Sequence, residues 1–243
     1  MKFSILIFIL KTISINHYVK IGDSLFRVQK YHGALKFYLK ADSLYHNNFD
    51  IKFRIGKTYN RLGEDTTGKI CGKYFQLADN YLKEALKIKN DVPELHFEIA
   101  RNSGELALFK GGKAKVRLSK EVKHHAQIAL KLKPDYPEAM FILGMWHREV
   151  ATLSPFLKTF AKIIYGGLPP AYLDSAIFYI QKAIALKPER IKYRVELAKT
   201  YLKIKEKEKA EKILKEAIKM KPLDEIDEKS LNEGKRLLKK LEK

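Results

Sequence analysis

Two stretches of this chain repeat one amphipathic helix pattern at a spacing of 34 residues. The first runs from Ala176 to Pro188 and the second from Ala210 to Pro222. In both, alanines recur seven residues apart, a large apolar residue lies between them and a proline ends the segment. A small residue at a fixed place on a helix lets a second helix approach closely. The pattern therefore predicts pairs of packed helices that recur along the chain.

The second helix of each predicted pair carries the same small residue throughout the chain. The spacings between these alanines are 44, 44, 54 and 34 residues, which exceed 34 by ten, ten, twenty and zero. A period of 34 is typical of the tetratricopeptide (TPR) repeat, a helix–turn–helix unit that stacks into a solenoid. We therefore predict an all-α fold, a right-handed α-solenoid of about five TPR hairpins. The alanines are Ala41, Ala85, Ala129, Ala183 and Ala217.

The departures from the 34-residue period predict insertions between the two helices of repeats two, three and four. Gly63–Phe75 is the insertion of repeat two, and a glycine pair, Gly111–Gly112, marks the break in repeat three. We expect an apolar N-terminal segment at residues 1–14, the solenoid at 15–222 and a C-terminal capping helix at 223–243. The expected repeats are residues 15–48, 49–92, 93–136, 137–190 and 191–222.

Repeat four carries the longest insertion, and its sequence predicts a separate helix. Ser154 is suited to cap the helix N-terminus, with Pro155 at the first helical position. Apolar residues then follow helical spacing as far as Tyr165, and Gly166 and Gly167 end the segment. The insertion therefore predicts one short amphipathic helix over residues 155–165.

The N-terminal segment leaves the compartment open. Its apolar run, Phe3–Leu10, is too short to span a bilayer but matches the apolar core of a secretory signal in length. No A-x-A-like cleavage site follows. A signal peptide and a retained apolar segment stay equal alternatives. The chain is expected to be cytoplasmic, or else secreted, periplasmic or membrane-attached if residues 1–14 act as a signal or an anchor.

From about Leu106 onward, the chain resembles the regulator of microtubule dynamics family. The resemblance rests on Lys120–Ala126, on Phe141–Val150 with its Leu-Gly-x-Trp step, and on the long helix-plus-proline insertion that follows. Repeats one and two match only the general TPR pattern. The resemblance implies a non-enzymatic adaptor and an association with microtubules.

Composition points to an anionic partner. The chain has 48 Lys and Arg against 28 Asp and Glu, a net charge of +20. Such an excess favours acidic protein surfaces, anionic lipid or nucleic acid, and a solvated lysine-rich surface is the equal alternative. No recognised nucleic-acid-binding motif is present, so nucleic acid is the weakest of these partners. Nothing in the sequence predicts the oligomeric state.

No constellation for catalysis or metal binding is evident. Gly63–Ile70 nearly matches the phosphate-binding P-loop, but Ile70 replaces the hydroxyl residue that would hold Mg²⁺, and a helix precedes it where the motif needs a strand. The seven histidines lack metal-binding spacing, and Cys71 is the lone cysteine. We therefore expect no enzyme activity, no cofactor, no metal and no catalytic residue.

The predicted binding surface is the concave groove lined by the first helix of each repeat. Its fifth position carries phenylalanines 44 residues apart, and its ninth and twelfth positions carry mostly cations and Met145. Aromatic and basic residues together suit an acidic amphipathic peptide helix. The alternative is that the phenylalanines are core residues packed against the inserted helix. The predicted groove residues are Phe53, Lys57, Phe97, Arg101, Phe141, Met145, Arg148 and Lys199.

A hydrophobic-ligand or lipid-binding module is the alternative to the peptide-binding groove. The inserted helix would act as a lid over the groove and enclose a hydrophobic ligand or an anionic lipid. Apolar residues on that helix would then face the groove and be buried with the phenylalanines. The predicted lid residues are Phe156, Phe160, Ile163 and Ile164.

Overall fold

The computed structural model describes the backbone from Lys2 to Glu242 and the side chains from Ile15 to Glu242. Every regular element within these limits is a helix. The chain divides into two compact units, residues 1–111 and residues 112–243. The division falls at the glycine pair that the sequence predicts as a break.

The first unit is built of five helices. α1 pairs with α2, α3 pairs with α4, and α5 packs against α4. Their bounds are α1 Lys2–Arg27, α2 Tyr31–Leu44, α3 Phe49–Glu64, α4 Lys69–Ile88 and α5 Pro93–Phe109.

The second unit is built of seven helices. α6 packs against α7, α7 pairs with α9, α10 pairs with α11, and α12 covers both α10 and α11. The bounds are α6 Gly112–Leu132, α7 Pro137–Ala151, α8 Pro155–Tyr165, α9 Leu173–Leu186, α10 Ile191–Lys203, α11 Lys207–Ala217 and α12 Glu225–Leu241. The predicted all-α array of helical hairpins is confirmed.

The small residues lie where the two helices of a hairpin pass closest. All five second-helix alanines that define the repeat are 0% exposed. Glycine makes the equivalent contact on the first helices. A Cβ on Gly56 would lie 2.7 Å from Leu82 Cγ, and a Cβ on Gly144 would lie 2.8 Å from Ile180 Cγ1. Close backbone approach therefore requires these residues.

The extra residues of repeat two take a different form from the predicted one. They are helical and lengthen α3 and α4, so that only a short link joins the two helices. Gly63 lies inside α3, and a Cβ there would meet the ring of Phe75 at 2.5 Å. Because Phe75 packs on this glycine, the added turns of both helices stay in contact. α6, with 21 residues, shows that repeat three is also lengthened within a helix.

The inserted helix of repeat four is present as predicted. Ser154 Oγ accepts a hydrogen bond from the Leu157 backbone N–H at 3.3 Å, and Pro155 begins α8. Gly166 ends the helix in the left-handed conformation, with φ of 70°. The Gly167 N–H then closes the turn on the Ala161 carbonyl at 2.8 Å.

The structure describes the C-terminal helix with its side chains but only the backbone of residues 2–14. At the C-terminus, Asp224 caps α12, and the buried Asp227 accepts a bond from the Lys192 N–H at 3.2 Å, which docks α12 on α10. At the N-terminus, the backbone of α1 is helical from Lys2. The predicted signal or anchor at residues 1–14 lies outside the described side chains. Among the residues described, no helix is long and apolar enough to cross a membrane.

The close approach at Gly144 makes a specific stability prediction. A Cβ there would also lie 3.1 Å from the Ala176 carbonyl oxygen, so the backbones of α7 and α9 must separate in a Gly144→Ala variant. We expect a loss of roughly 1–3 kcal/mol in the free energy of unfolding, measured by urea denaturation. Gly111→Ala is the control, because no atom lies within 4 Å of its added Cβ. Equal effects from the two variants would contradict the close-packing explanation.

Candidate functional site

In the first unit, the predicted groove residues lie on two neighbouring first helices, α3 and α5. An ion pair between Asp23 and Arg54 at 2.9 Å joins α1 to α3, and α3 contacts α5. Phe53 stacks on Phe49 with ring centroids 5.8 Å apart. Phe53 and Phe97 are half-buried, and Phe53 also packs against the core cluster of this unit. We call Phe53, Lys57 and Phe97 the unit-one face.

The two predicted cations of this unit have different surroundings. Arg101 pairs with Glu64 and lies 3.7 Å from a carboxylate oxygen of Glu98. Lys57 has no carboxylate within 4.0 Å among the described side chains, and its ammonium lies 5.2 Å from the ring centroid of Phe26. The face of an aromatic ring attracts such a cation, and the Lys57 side chain is half-buried. Lys57 is thus the cation of the unit-one face that an acidic group can reach.

In the second unit, two predicted groove residues take part in the core. Phe141 is 8% exposed and stacks on Tyr193 with ring centroids 4.5 Å apart. Met145 is half-buried and packs against the same cluster. Phe141 therefore has the core role left open by the sequence, although its partner is Tyr193 rather than the inserted helix.

The two predicted cations of the second unit are engaged by carboxylates. Arg148 is 6% exposed, and its Nη1 donates to Glu196 Oε2 at 2.7 Å and to the Glu196 carbonyl at 3.1 Å. Lys199 lies 2.8 Å from both Glu196 and Glu233. Burial alone would raise the pKa of Glu196, but Arg148 and Lys199 outweigh it and hold that pKa below its ordinary value. These cations bind neighbouring helices together, so a ligand would have to displace a carboxylate.

In both units, a buried glutamate receives two hydrogen bonds from a side chain of the preceding hairpin. The sequence patterns did not single out these two glutamates. In the first unit, Asn60 Nδ2 donates to Glu98 Oε2 at 2.9 Å and to its carbonyl at 3.2 Å. Arg148 makes the same pair of bonds to Glu196 in the second unit. The signal was present as Phe-Glu-Ile-Ala-Arg at 97–101 and Val-Glu-Leu-Ala-Lys at 195–199. In both segments, the basic residue three positions after the glutamate is one predicted to face a ligand.

The main packing partner of the predicted lid helix is not one of the helices that line the groove. α8 packs against α6, and Lys120 Nζ reaches the Tyr165 carbonyl at 3.5 Å. The four predicted lid side chains are all exposed, whereas a closed lid would bury them. They enclose no tunnel with Phe141, whose ring is covered by Tyr193. The structure therefore gives the lipid-lid interpretation no support.

The described residues offer little for catalysis. No group of three or more His, Cys, Asp or Glu side chains among them could hold a metal ion. The P-loop-like stretch begins inside α3, where Gly63 is helical, and continues into α4. Cys71 is buried and donates to the Gly68 carbonyl at 2.7 Å.

Comparison with protein families matches nearly the whole chain to one of them. The family described as "Regulator of microtubule dynamics protein 1-3" matches residues 18–242. Regulator of microtubule dynamics protein 1 of Mus musculus is 26% identical over 132 residues, which cover 54% of this chain and 43% of the mouse protein. The chain thus spans less than half the length of this curated relative.

Solved structures show the same fold at low identity. A thermophilic TPR protein of Thermus thermophilus has a TM-score of 0.66 at 14% identity, covering 90% of this chain and 98% of that chain. YrrB, described as a TPR protein with an unusual peptide-binding site, has a TM-score of 0.52 at 20% identity, with 90% of each chain covered. The hairpin architecture is thereby established as TPR.

A buried histidine, His147, predicts that the stability of the second unit depends on pH. His147 Nδ1 accepts the Tyr172 backbone N–H at 3.3 Å, and its ring stacks on Tyr179. Burial, helped by the nearby Lys123 charge, lowers the pKa of His147 from 6.5, so the folded protein favours the neutral ring. The unfolded chain then binds more protons as pH falls. We therefore expect the contribution of the neutral His147 to stability to be present above about pH 6.5 and to be lost as pH decreases below that value.

The matched variant for this prediction is His147→Gln, which keeps a hydrogen-bond acceptor and does not titrate. We expect urea midpoints of the wild type to fall between pH 6.5 and pH 5 more steeply than those of the variant. The lowered pKa of Glu196 affects stability in a more acidic range, because the stabilisation from this carboxylate is lost only below about pH 4.5. Parallel curves for wild type and variant between pH 6.5 and 5 would contradict the assignment.

Proposed function

Because the chain belongs to the regulator of microtubule dynamics family and folds as TPR hairpins, we propose that it is a non-enzymatic adaptor that binds a segment of a partner protein. The observation that carries the proposal is the unit-one face. There, two half-buried phenylalanines lie on neighbouring helices with a lysine that has no carboxylate within 4.0 Å among the described side chains. The peptide-binding site described for YrrB supports such a use of the TPR fold.

The chemistry of the unit-one face defines the segment it would hold. An amphipathic helix can place apolar side chains against Phe53 and Phe97 and direct a carboxylate toward Lys57. Aromatic anchors supply most of the binding energy of such contacts. The charge of +20 would speed the encounter with an acidic partner. In the second unit, Arg148 and Lys199 are already neutralised, so we place the main contact on the first.

The proposal predicts that Lys57 and the phenylalanines act together. Partners captured from native lysate by the tagged wild type should be depleted about tenfold with Lys57→Glu, and also with the Phe53→Ala/Phe97→Ala double variant. Lys73→Glu is the charge-matched control, on an exposed site of α4 in the same hairpin. Leu77→Ala, also on α4, is the apolar control. Capture should weaken at high salt, because exposed charge pairs are screened. Partners that bind Lys57→Glu and Lys73→Glu equally would overturn the proposal.

The name of the family suggests the first partner to test. We propose that the bound segment belongs to polymerised tubulin or to a protein on it. Purified chain should pellet with microtubules, and Lys57→Glu should reduce the bound fraction while Lys73→Glu should not. If the wild type stays in the supernatant, tubulin itself is excluded as the direct partner. Recovery of pelleting when a captured partner is added would assign the contact to that protein.

A further inference from the structure

One helix of the second unit presents an uncovered apolar surface. At 100° per residue, five large apolar side chains of α8 fall in a single arc of about 120°. Their exposed fractions are 75%, 48%, 45%, 74% and 54% in chain order. Contiguous exposed apolar surface of this kind marks a site of interaction. We call these residues the α8 apolar face; they are Phe156, Leu157, Phe160, Ile163 and Ile164.

The helix that carries this face is held firmly at both ends. Ser154 caps its N-terminus, and Lys158 Nζ donates to the Ala151 carbonyl at 2.7 Å. At the other end, Lys120 Nζ reaches the Tyr165 carbonyl at 3.5 Å and Lys123 Nζ reaches the Pro170 carbonyl at 3.2 Å. α8 is therefore fixed on α6 with its apolar arc directed to solvent.

The chain segment that contains this helix carries only positive charge. The 24 residues from Val150 to Leu173 contain no Asp or Glu, and their two cations are Lys158 and Lys162. Both lysines are exposed and lie on the side of α8 opposite the apolar arc.

The neighbouring end of α6 adds further positive charge. A Cβ on Gly112 would lie 2.9 Å from Tyr165 Oη, so the start of α6 is beside the end of α8. Its first two turns carry two exposed lysines, Lys113 and Lys115, while the exposed Arg117 is paired with Glu121. The α8 apolar face therefore lies next to a cationic surface.

We propose that α8 docks the protein on the surface of an anionic bilayer. A helix with Phe, Leu and Ile on one side and Lys on the other lies in the interface plane, with its apolar side among the headgroups and upper acyl chains. The lysines then lie near the anionic headgroups, which attract them. This surface shares no residue with the unit-one face, so the inference does not depend on the proposed partner segment.

The same observations disfavour the other occupants of this face. A second copy of the chain would bring its own Lys158, Lys162 and α6 cations against these, and like charges repel. A folded protein partner would need a groove for the α8 ridge and acidic groups around it. A fluid bilayer adapts to a ridge and supplies the negative charge.

The test is flotation of the full chain with vesicles. We expect the wild type to float with vesicles of phosphatidylcholine containing about a third phosphatidylserine, and far less with phosphatidylcholine alone. Phe156→Asp/Ile163→Asp should lower the bound fraction at least about tenfold. The control Val28→Asp/Leu223→Asp makes the same change in charge at two exposed apolar sites outside α8 and should float like the wild type.

A second pair of variants tests the charge. Lys158→Gln/Lys162→Gln should weaken flotation on the anionic vesicles several-fold. Lys235→Gln/Lys239→Gln removes the same charge from exposed sites on α12 and should have little effect. Equal losses from the two pairs would show that net charge alone drives binding, and would overturn the assignment to α8.

Two further outcomes would also overturn the proposal. If Phe156→Asp/Ile163→Asp floats as well as the wild type, the membrane contact lies elsewhere in the chain. If the wild type does not float but forms a dimer in sedimentation that this variant abolishes, the face is an interface between copies.

An environment-sensitive dye on Ile163→Cys, in a Cys71→Ala background, should shift to shorter emission wavelengths with anionic vesicles only if the face enters the bilayer.

Discussion

Close packing of helix backbones at alanine and glycine is the constraint on which both units depend. Where Gly144 faces Ile180 and Gly56 faces Leu82, there is no space for a side chain on the first helix. The facing second helices carry alanines with no exposed surface. A hairpin held this way presents its two helices at a fixed separation, so successive hairpins stack by repeating one geometry. Extra residues are then tolerated only where they extend both helices or leave the hairpin altogether.

The second level of organisation is polar. Glu98 and Glu196 are buried between first helices and receive donors from the preceding hairpin, Asn60 in one unit and Arg148 in the other. A buried carboxylate of this kind needs its donors, because leaving it unpaired would cost several kcal/mol. The same glutamates also engage the basic residue one turn later on their own helix. Cations that a sequence pattern assigns to a ligand thus stabilise the packing of the helices instead, whereas Lys57 has no carboxylate within 4.0 Å among the described side chains.

The inserted helix shows how a repeat fold gains a new surface without disturbing its core. α8 and its linkers add about twenty residues to repeat four, yet the facing alanine and glycine of α9 and α7 keep their contact. Capping by Ser154 and Gly166 makes the helix self-contained. Its apolar side chains contribute little to the packing of the second unit, since each is between 45% and 75% exposed. The helix thus adds an exposed apolar surface to the second unit without replacing a contact of the repeats.

The order of helices was determined by the sequence itself, since spacing of small residues is a local property that survives insertion. Sequence patterns located the five buried alanines, the capped helix at residues 155–165 and the C-terminal helix docked by Asp227. The tertiary structure decided which of the predicted groove residues are accessible to a ligand. Whether Phe141 or Arg148 meets a ligand depends on Tyr193 and Glu196, which lie about fifty residues away in the chain and adjacent in space. The direction of the α8 apolar face was likewise set by contact with α6, because amphipathic spacing defines an apolar side but not what it faces.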